Sequence, residues 1–246
     1  MSPTNLIYNI VSIPSGVLRY WREGRMVWPL AWATLIGTLP GIFIGAFIRI
    51  KVLPDPASFK PFAGAVLLYI AVRLAIDILR GRSGSRAAGR VGGGFRVRPV
   101  ESGLRSIVYE FEGATFRAPT AGIMILSFLV GIVGGTYGIG GGAIIAPFFV
   151  AVFGLPVYTV AAAALFGTFI TSVAGVGFYW LLATMGLGEG YNVSPDWMLG
   201  GLFGIGGAAG MYVGARLQRF LPSRLIKAVL TALLLSVAIR YLAELW

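Results

Sequence analysis

Long apolar stretches alternate with short charged ones along this chain. Residues 2–18 are apolar but include Asn5, Asn9, Ser12 and Ser15, and they end at Arg19, Arg22, Glu23 and Arg25. Residues 28–48 hold no charge. Residues 49–60 form a short polar stretch punctuated by Pro54 and Pro56, and residues 61–79 are apolar again until Arg73 and Asp77. From 118 to 188 there is no Asp, Glu, Lys or Arg. A helix needs ~20 apolar residues to cross ~30 Å of hydrocarbon. The pattern therefore predicts six full spans, at 2–18, 28–48, 61–79, 156–182, 197–215 and 221–242. It also predicts one broken segment, with helices over 120–137 and 143–153 on either side of Gly138-Ile139-Gly140-Gly141-Gly142.

Residues 80–117 are the one segment long enough to leave the membrane. Their first half, GRSGSRAAGRVGGG, is a basic, glycine-rich linker with too little apolar content to fold alone. The second half, SIVYEFEGATFRA, has β-forming residues around Glu112-Gly113 and predicts a small hairpin.

Composition agrees with a membrane solvent: 57% of residues are hydrophobic, 12% are charged and the mean hydropathy is +0.83. Soluble domains carry roughly a quarter charged residues. The net charge is +11, and the basic residues cluster between apolar spans. That is the signature of cytoplasmic loops beside anionic lipid, so no nucleic-acid partner is expected. The chain has no Cys and no His. This excludes disulfides, thiol chemistry, imidazole bases and most zinc, copper or haem ligation. No cofactor, no metal and no enzymatic activity are expected. Residues 1–17 lack the basic start of a secretory leader.

An internal repeat is legible. Ser12, Gly16, Tyr20 and Trp21 fall opposite Thr171, Gly175, Tyr179 and Trp180 at an offset of 159, while Trp28, Gly37, Gly41 and Gly45 fall opposite Trp197, Gly206, Gly210 and Gly214 at 169. Leu53-Pro54 then matches Leu221-Pro222, and Arg73 matches Arg240. Three basic residues lie in 19–25, eight in 80–117, four in 216–227 and none in 189–196. Placing the three basic loops inside requires the broken segment to enter and leave on the same side. The expected fold is an all-α integral membrane protein of two inverted repeats, with a broken glycine-rich helix hairpin and a small cytoplasmic insertion. Residues 1–79 form the first repeat, 80–118 the insertion and 119–246 the second repeat.

Glycines crowded into hydrocarbon expose backbone groups, which is tolerated only where protein or a polar cavity satisfies them. A half-helix starting near Gly142 would aim free N–H groups and its positive dipole end into such a cavity. Gly138, Gly140, Gly141 and Gly142 are therefore candidate anion donors, joined by the neutral polar side chains Asn9, Ser12, Thr168 and Thr171. Ser12 and Thr171 are repeat equivalents. Thr and Ser in membrane helices also bond back to their own backbone, the structural alternative for each. The ladders Gly37-Gly41-Gly45 and Gly206-Gly210-Gly214 predict close helix contacts. Tyr20, Trp21, Trp28, Tyr179, Trp180 and Trp197 sit at span ends as interfacial anchors. Arg73 with Asp77 reads as a structural pair.

The pieces GGTYGIGGGAIIAPFF, SGVLRYWREGRM and GTLPGIFIGAFIR resemble the sulfite exporter TauE/SafE family of membrane proteins. The resemblance covers nearly everything except 80–117. It implies two repeats, each opening with a glycine-rich segment, and transport of small anions such as sulfite, sulfoacetate or related sulfonates. In this sequence nothing glycine-rich stands before Ser2, so an upstream segment of roughly 40 residues, the length of the 119–154 counterpart, is expected by repeat symmetry. The implied function is a permease or exporter in the bacterial inner membrane, with the lipid bilayer and a small anionic substrate as partners. Coupling to H+ or Na+ and a homo-oligomer are both compatible with the sequence. Rival readings are a passive anion channel, a non-transporting scaffold docking through 80–117, and a membrane enzyme, for which no nucleophile or acid–base pair is evident.

Overall fold

The structure, a computed structural model, describes residues 4–51, 60–79, 97–103, 105–137, 142–184, 196–218 and 220–243. Eight helices and three strands follow in order: α1 (Thr4–Arg22), α2 (Trp28–Lys51), α3 (Lys60–Leu79), β1 (Arg98–Ser102), β2 (Ser106–Phe111), β3 (Ala114–Pro119), α4 (Thr120–Tyr137), α5 (Gly142–Phe153), α6 (Val157–Thr184), α7 (Trp197–Gln218) and α8 (Ser223–Ala243).

Among the described residues, four stretches are long and apolar enough to cross a bilayer by themselves: Trp28–Ile48, Val157–Phe178, Trp197–Gln218 and Arg224–Ala243. Six full spans were expected. α1 falls short because Asn5, Asn9, Ser12 and Ser15 dilute its apolar content, and the apolar stretch of α3 is only Leu67–Ile76. Both are nevertheless helices of 19 and 20 residues.

Local chemistry sets the helix ends. Gly24, at φ 68°, closes α1 in a Schellman turn: Arg25 N–H donates to Tyr20 O (3.0 Å) and Gly24 N–H to Trp21 O (2.9 Å). Gly154, at φ 66°, ends α5. Asp196 caps α7, its Oδ1 accepting from Leu199 N–H at 2.8 Å, and its own N–H donates to Thr4 Oγ1 at 3.0 Å. The starts of α1 and α7 are thereby joined.

α2 packs on α4 and α6, α1 on α6 and α7, α3 on α8, and α5 on α6. α2 and α4 run the same way, since Gly37 faces Met124 and Ser127, Gly41 faces Phe128 and Ile132, and Gly45 faces Ile132 and Thr136. A Cβ on these glycines would stand 2.8 Å from Ser127 Cβ, 2.9 Å from Ile132 N and 2.8 Å from Thr136 N respectively. The expected close contact of this ladder is there, with backbone against backbone.

The other ladder is a correction. Gly206, Gly210 and Gly214 have nothing within 4 Å of a built Cβ. α7 meets α1 through a different row, Gly200 against Ile7, Gly204 against Val11 and Gly207 against Ser12 and Tyr8. Two glycine rows on one helix cannot be told apart by spacing alone.

The hairpin expected at Glu112-Gly113 is present, both residues having positive φ (52° and 75°) as a tight two-residue hairpin turn demands. A third strand extends it to an antiparallel sheet of order β1-β2-β3. β3 leads directly into α4, where Thr120 Oγ1 donates to Gly103 O at 2.7 Å. The inner face of the sheet, Ile107, Tyr109 and Phe111, joins the core with Tyr158.

Candidate functional site

Where α1 crosses α6, Asn9 meets Ser172, and the other polar residues singled out lie on the same two helices. Asn9, Ser12, Thr168, Thr171 and Ser172 are all buried. Asn9 Nδ2 donates to Ser172 Oγ at 3.2 Å, a buried bond between residues 163 positions apart. It leaves Asn9 a second amide hydrogen.

The threonines behave differently. Thr168 Oγ1 donates to Ala164 O (2.8 Å), and Thr171 Oγ1 to Gly167 O (2.8 Å) and Thr168 O (3.1 Å). Their protons are committed to their own helix, so each offers the interface lone pairs instead of a donor. Ser15 likewise spends its proton on Ser12 O (2.8 Å) and Ala208 O (2.7 Å). Ser12 stands apart: its Oγ is fully buried and has no hydrogen-bond partner among the described residues. Such an orphan calls for an explanation, and a ligand is one.

The glycine candidates lie elsewhere in the description. Gly138, Gly140 and Gly141 fall outside the described residues, and Gly142 opens α5. The arms of this segment return to a common level, since a Cβ on Gly122 would lie 3.3 Å from the Phe153 ring. α5 packs on α6, the helix that carries Thr168, Thr171 and Ser172.

A charged cluster closes the end of α1 and α7. The Schellman turn folds Arg25 back over α1, where its guanidinium is fully buried and sits 4.4 Å from the Tyr20 ring centroid. Nη2 donates to Ala215 O at 2.8 Å and pairs with Glu23, and Nη1 donates to Gln218 Oε1 at 3.3 Å. Tyr20 Oη donates to the same Gln218 oxygen. Arg19 completes the cluster, 2.6 Å from Glu23. Tyr20 is thus a buried tie between helices and not the interfacial anchor expected of it, because Gln218 and Arg25 converge on its hydroxyl. A cation at the last turn of α7 also suits the helix dipole. Sequence reading missed this cluster because its members come from a span end, a turn and a helix far along the chain.

On α3, Arg73 Nη1 donates to Tyr69 Oη at 3.2 Å, and the side chain of Asp77 lies outside the described residues. Between the sheet and α6, Tyr109 Oη and Thr159 Oγ1 are 2.9 Å apart. Burial pushes the Tyr109 phenol up, only partly offset by that bond, so it stays neutral. Thr159 Oγ1 also donates to Pro156 O at 3.0 Å, which leaves Tyr109 as donor to Thr159.

A profile of the family described as "Sulfite exporter TauE/SafE" matches residues 1–241. The chain belongs to this family. The curated protein "Probable membrane transporter protein YunE" of Bacillus subtilis (strain 168) is 24% identical over 177 residues, 70% of this chain. The match spans 58% of that relative's length. No solved structure matches the chain. A TauE/SafE member with several apolar helices is a multi-pass membrane protein, and the polar patch on α1 and α6 is embedded in its helical core.

Proposed function

We propose that this TauE/SafE chain is a transporter of small anions in the bacterial cell membrane, built from two inverted repeats and binding its substrate where α1 crosses α6. The observation that carries the reading is Ser12: a buried hydroxyl with no hydrogen-bond partner among the described residues, on the same helix as Asn9, which bonds Ser172. Both Ser12 and the second Asn9 amide hydrogen can donate, and an oxyanion supplies the acceptor. The Thr171 and Thr168 hydroxyls have their protons engaged, so they serve this site as backbone-locked walls, and the donors beyond Ser12 and Asn9 are assigned to the backbone of Gly140, Gly141 and Gly142. Neutral donors compensate several kcal/mol of lost hydration without a permanent buried charge, which also lets the anion leave.

The inverted arrangement is supported by helix directions. α1 runs against α6, because Asn9 meets Ser172 and Gly16 meets Leu165, while α3 runs against α8, with Gly64 beside Leu242. α1 runs with α7, and α2 runs with α6, as Trp28 and Phe43 meet Phe166 and Phe178. The family name makes sulfite the first substrate to try, followed by sulfonates.

The test is saturable uptake into proteoliposomes over a panel of sulfite, sulfate, thiosulfate, sulfonates and short carboxylates, for wild type and Ser12→Ala. A few-fold higher half-saturation in Ser12→Ala, at unchanged melting temperature, supports the site. Unchanged transport in a folded Ser12→Ala protein moves the substrate elsewhere, and flux without saturation favours a passive channel.

A further inference from the structure

A polar line runs along the seam between α1 and α7. Ser12 lies against Gly207, where an added Cβ would stand 2.8 Å from Ser12 Cβ. Ser15 Oγ donates to Ala208 O. Arg19 Nη1 donates to Tyr212 Oη at 3.4 Å, with the guanidinium 5.4 Å from that ring's centroid. Ser12, Ser15 and Arg19 follow the three- and four-residue spacing that places side chains on one helix face. At 1.5 Å per residue, Arg19 lies about 10 Å beyond Ser12 along α1. The line ends at Glu23 and Arg25.

The chemistry at this end exceeds what a tie between helices needs. Both guanidiniums converge on the Glu23 carboxylate: Arg19 Nη2 stands 2.6 Å from Oε1, and Arg25 Nη2 pairs with Oε2. Two cations share this one anion, so the trio keeps a positive charge in excess. Arg19 Nε is buried and has no hydrogen-bond partner among the described residues. Glu23 sits in the turn beyond α1, and its side chain is 13% exposed against 18% for Arg19. A carboxylate held between two guanidinium forks shows the geometry in which arginine takes oxyanions generally. The negative ends of α1 and α7 meet here, which loosens the hold on any anion.

We propose that Arg19 and Arg25 form a second oxyanion subsite, of which the Glu23 carboxylate is the resident, displaceable occupant. Glu23 swings out from its turn, and an oxyanion of the sulfite or sulfonate class bridges the two guanidiniums in its place. Arg25 is fully buried, so the anion reaches it only through the position that Glu23 leaves. Under the transport reading above, on which this step rests, the subsite lies at the cytoplasmic end of the seam and passes the anion toward Ser12. Binding at the arginines does not depend on that reading.

Thermal unfolding of the full chain in detergent, titrated with sodium sulfate against sodium chloride at fixed ionic strength, tests the subsite. Wild type, with its occupant in place, should respond weakly. Glu23→Gln removes the competing charge, and a larger, saturable rise in melting temperature with sulfate is expected. Glu23→Asp keeps the charge and is gentler on the fold; one methylene shorter, it cannot reach both guanidiniums, so its rise should lie between the two. Adding Arg19→Gln should abolish the rise, and adding Ser12→Ala should leave it intact. Responses in Glu23→Gln and Glu23→Asp no greater than that of wild type overturn the proposal and leave the cluster a structural tie. A rise that survives Arg19→Gln overturns it in favour of an ion held elsewhere, and a rise lost with Ser12→Ala overturns it in favour of the α1–α6 site alone. None of these readouts measures flux, so absent transport would sink the transporter reading without touching this one.

Discussion

Leu165 of α6 packs onto Gly16 of α1, its Cδ1 3.4 Å from where a Cβ on that glycine would stand. The same contact recurs with the helices exchanged: Leu6 of α1 packs onto Gly175 of α6 at 3.2 Å. Leu6 and Leu165, like Gly16 and Gly175, are separated by 159 residues, the offset of the internal repeat. The crossing that carries the polar patch therefore has a local two-fold character, with Ser12 and Thr171 inside it.

Because Ser12 Oγ has no hydrogen-bond partner among the described residues, removing it breaks no hydrogen bond that the structure describes. Ser12→Ala should leave stability unchanged or slightly raised, since an unsatisfied buried hydroxyl costs about 1–3 kcal/mol. Thermal unfolding in detergent, followed by size-exclusion fluorescence, measures this; a clear drop in melting temperature would mean that Ser12 has a structural partner.

Asn9 and Ser172 should be coupled. Asn9→Ala, Ser172→Ala and the double variant form a cycle whose interaction term is expected near ~0.6 kcal/mol, the average for hydrogen bonds between membrane helices. An interaction term of zero would show that the pair is adjacent without being bonded in the bilayer.

Gly41→Val and Gly210→Val make an internally controlled comparison. The first forces a side chain against Ile132 N and the Phe128 carbonyl, and overpacking of this kind costs about 1–3 kcal/mol. The second meets open space in this chain and should leave its melting temperature close to wild type. Equal destabilisation would contradict the difference between the two ladders.

Arg25→Ala should be far more damaging than any surface arginine change. It leaves Glu23 with Arg19 alone and strands the Ala215 carbonyl, and breaking a buried pair costs up to about 3–5 kcal/mol. Arg25→Lys should rescue little, because one ammonium cannot serve Ala215 O, Gln218 and Glu23 with the geometry of a planar fork. Yield of monodisperse protein after membrane extraction reports both.

The sheet and residues 185–195 should lie on opposite sides of the membrane. Thr115→Cys is expected to resist an impermeant maleimide in intact cells and to react in inverted vesicles, and Ser194→Cys to do the reverse. Labelling of Thr115→Cys from outside would reject the inverted-repeat topology.

Much of the helical order was legible because charge is so scarce here. With no Asp, Glu, Lys or Arg between 118 and 188, helix limits are set by Gly and Pro, and α4 occupies the expected 120–137. Of the polar residues on α1 and α6, Asn9 and Ser172 are in contact. What sequence could not supply was the direction of each proton. The Thr168 and Thr171 hydroxyls turn inward to their own carbonyls while Ser12, one helix away, does not, a rotamer choice made by tertiary contact. The β1 strand was missed for a different reason: Pro99 sits inside it, and proline is tolerated there only because the strand is an edge.

α1 is too polar to be held by lipid alone, and its neighbours are α6 and α7; Ser15, for example, bonds Ala208, 193 residues later. At ribosomal rates of about 5–20 residues per second, roughly 10–40 seconds pass between synthesis of these two residues. Through that interval Asn9, Ser12 and Ser15 must be sheltered by something other than their final neighbours. α1 is therefore seated only after the second half of the chain arrives, and the insertion machinery must hold it until then.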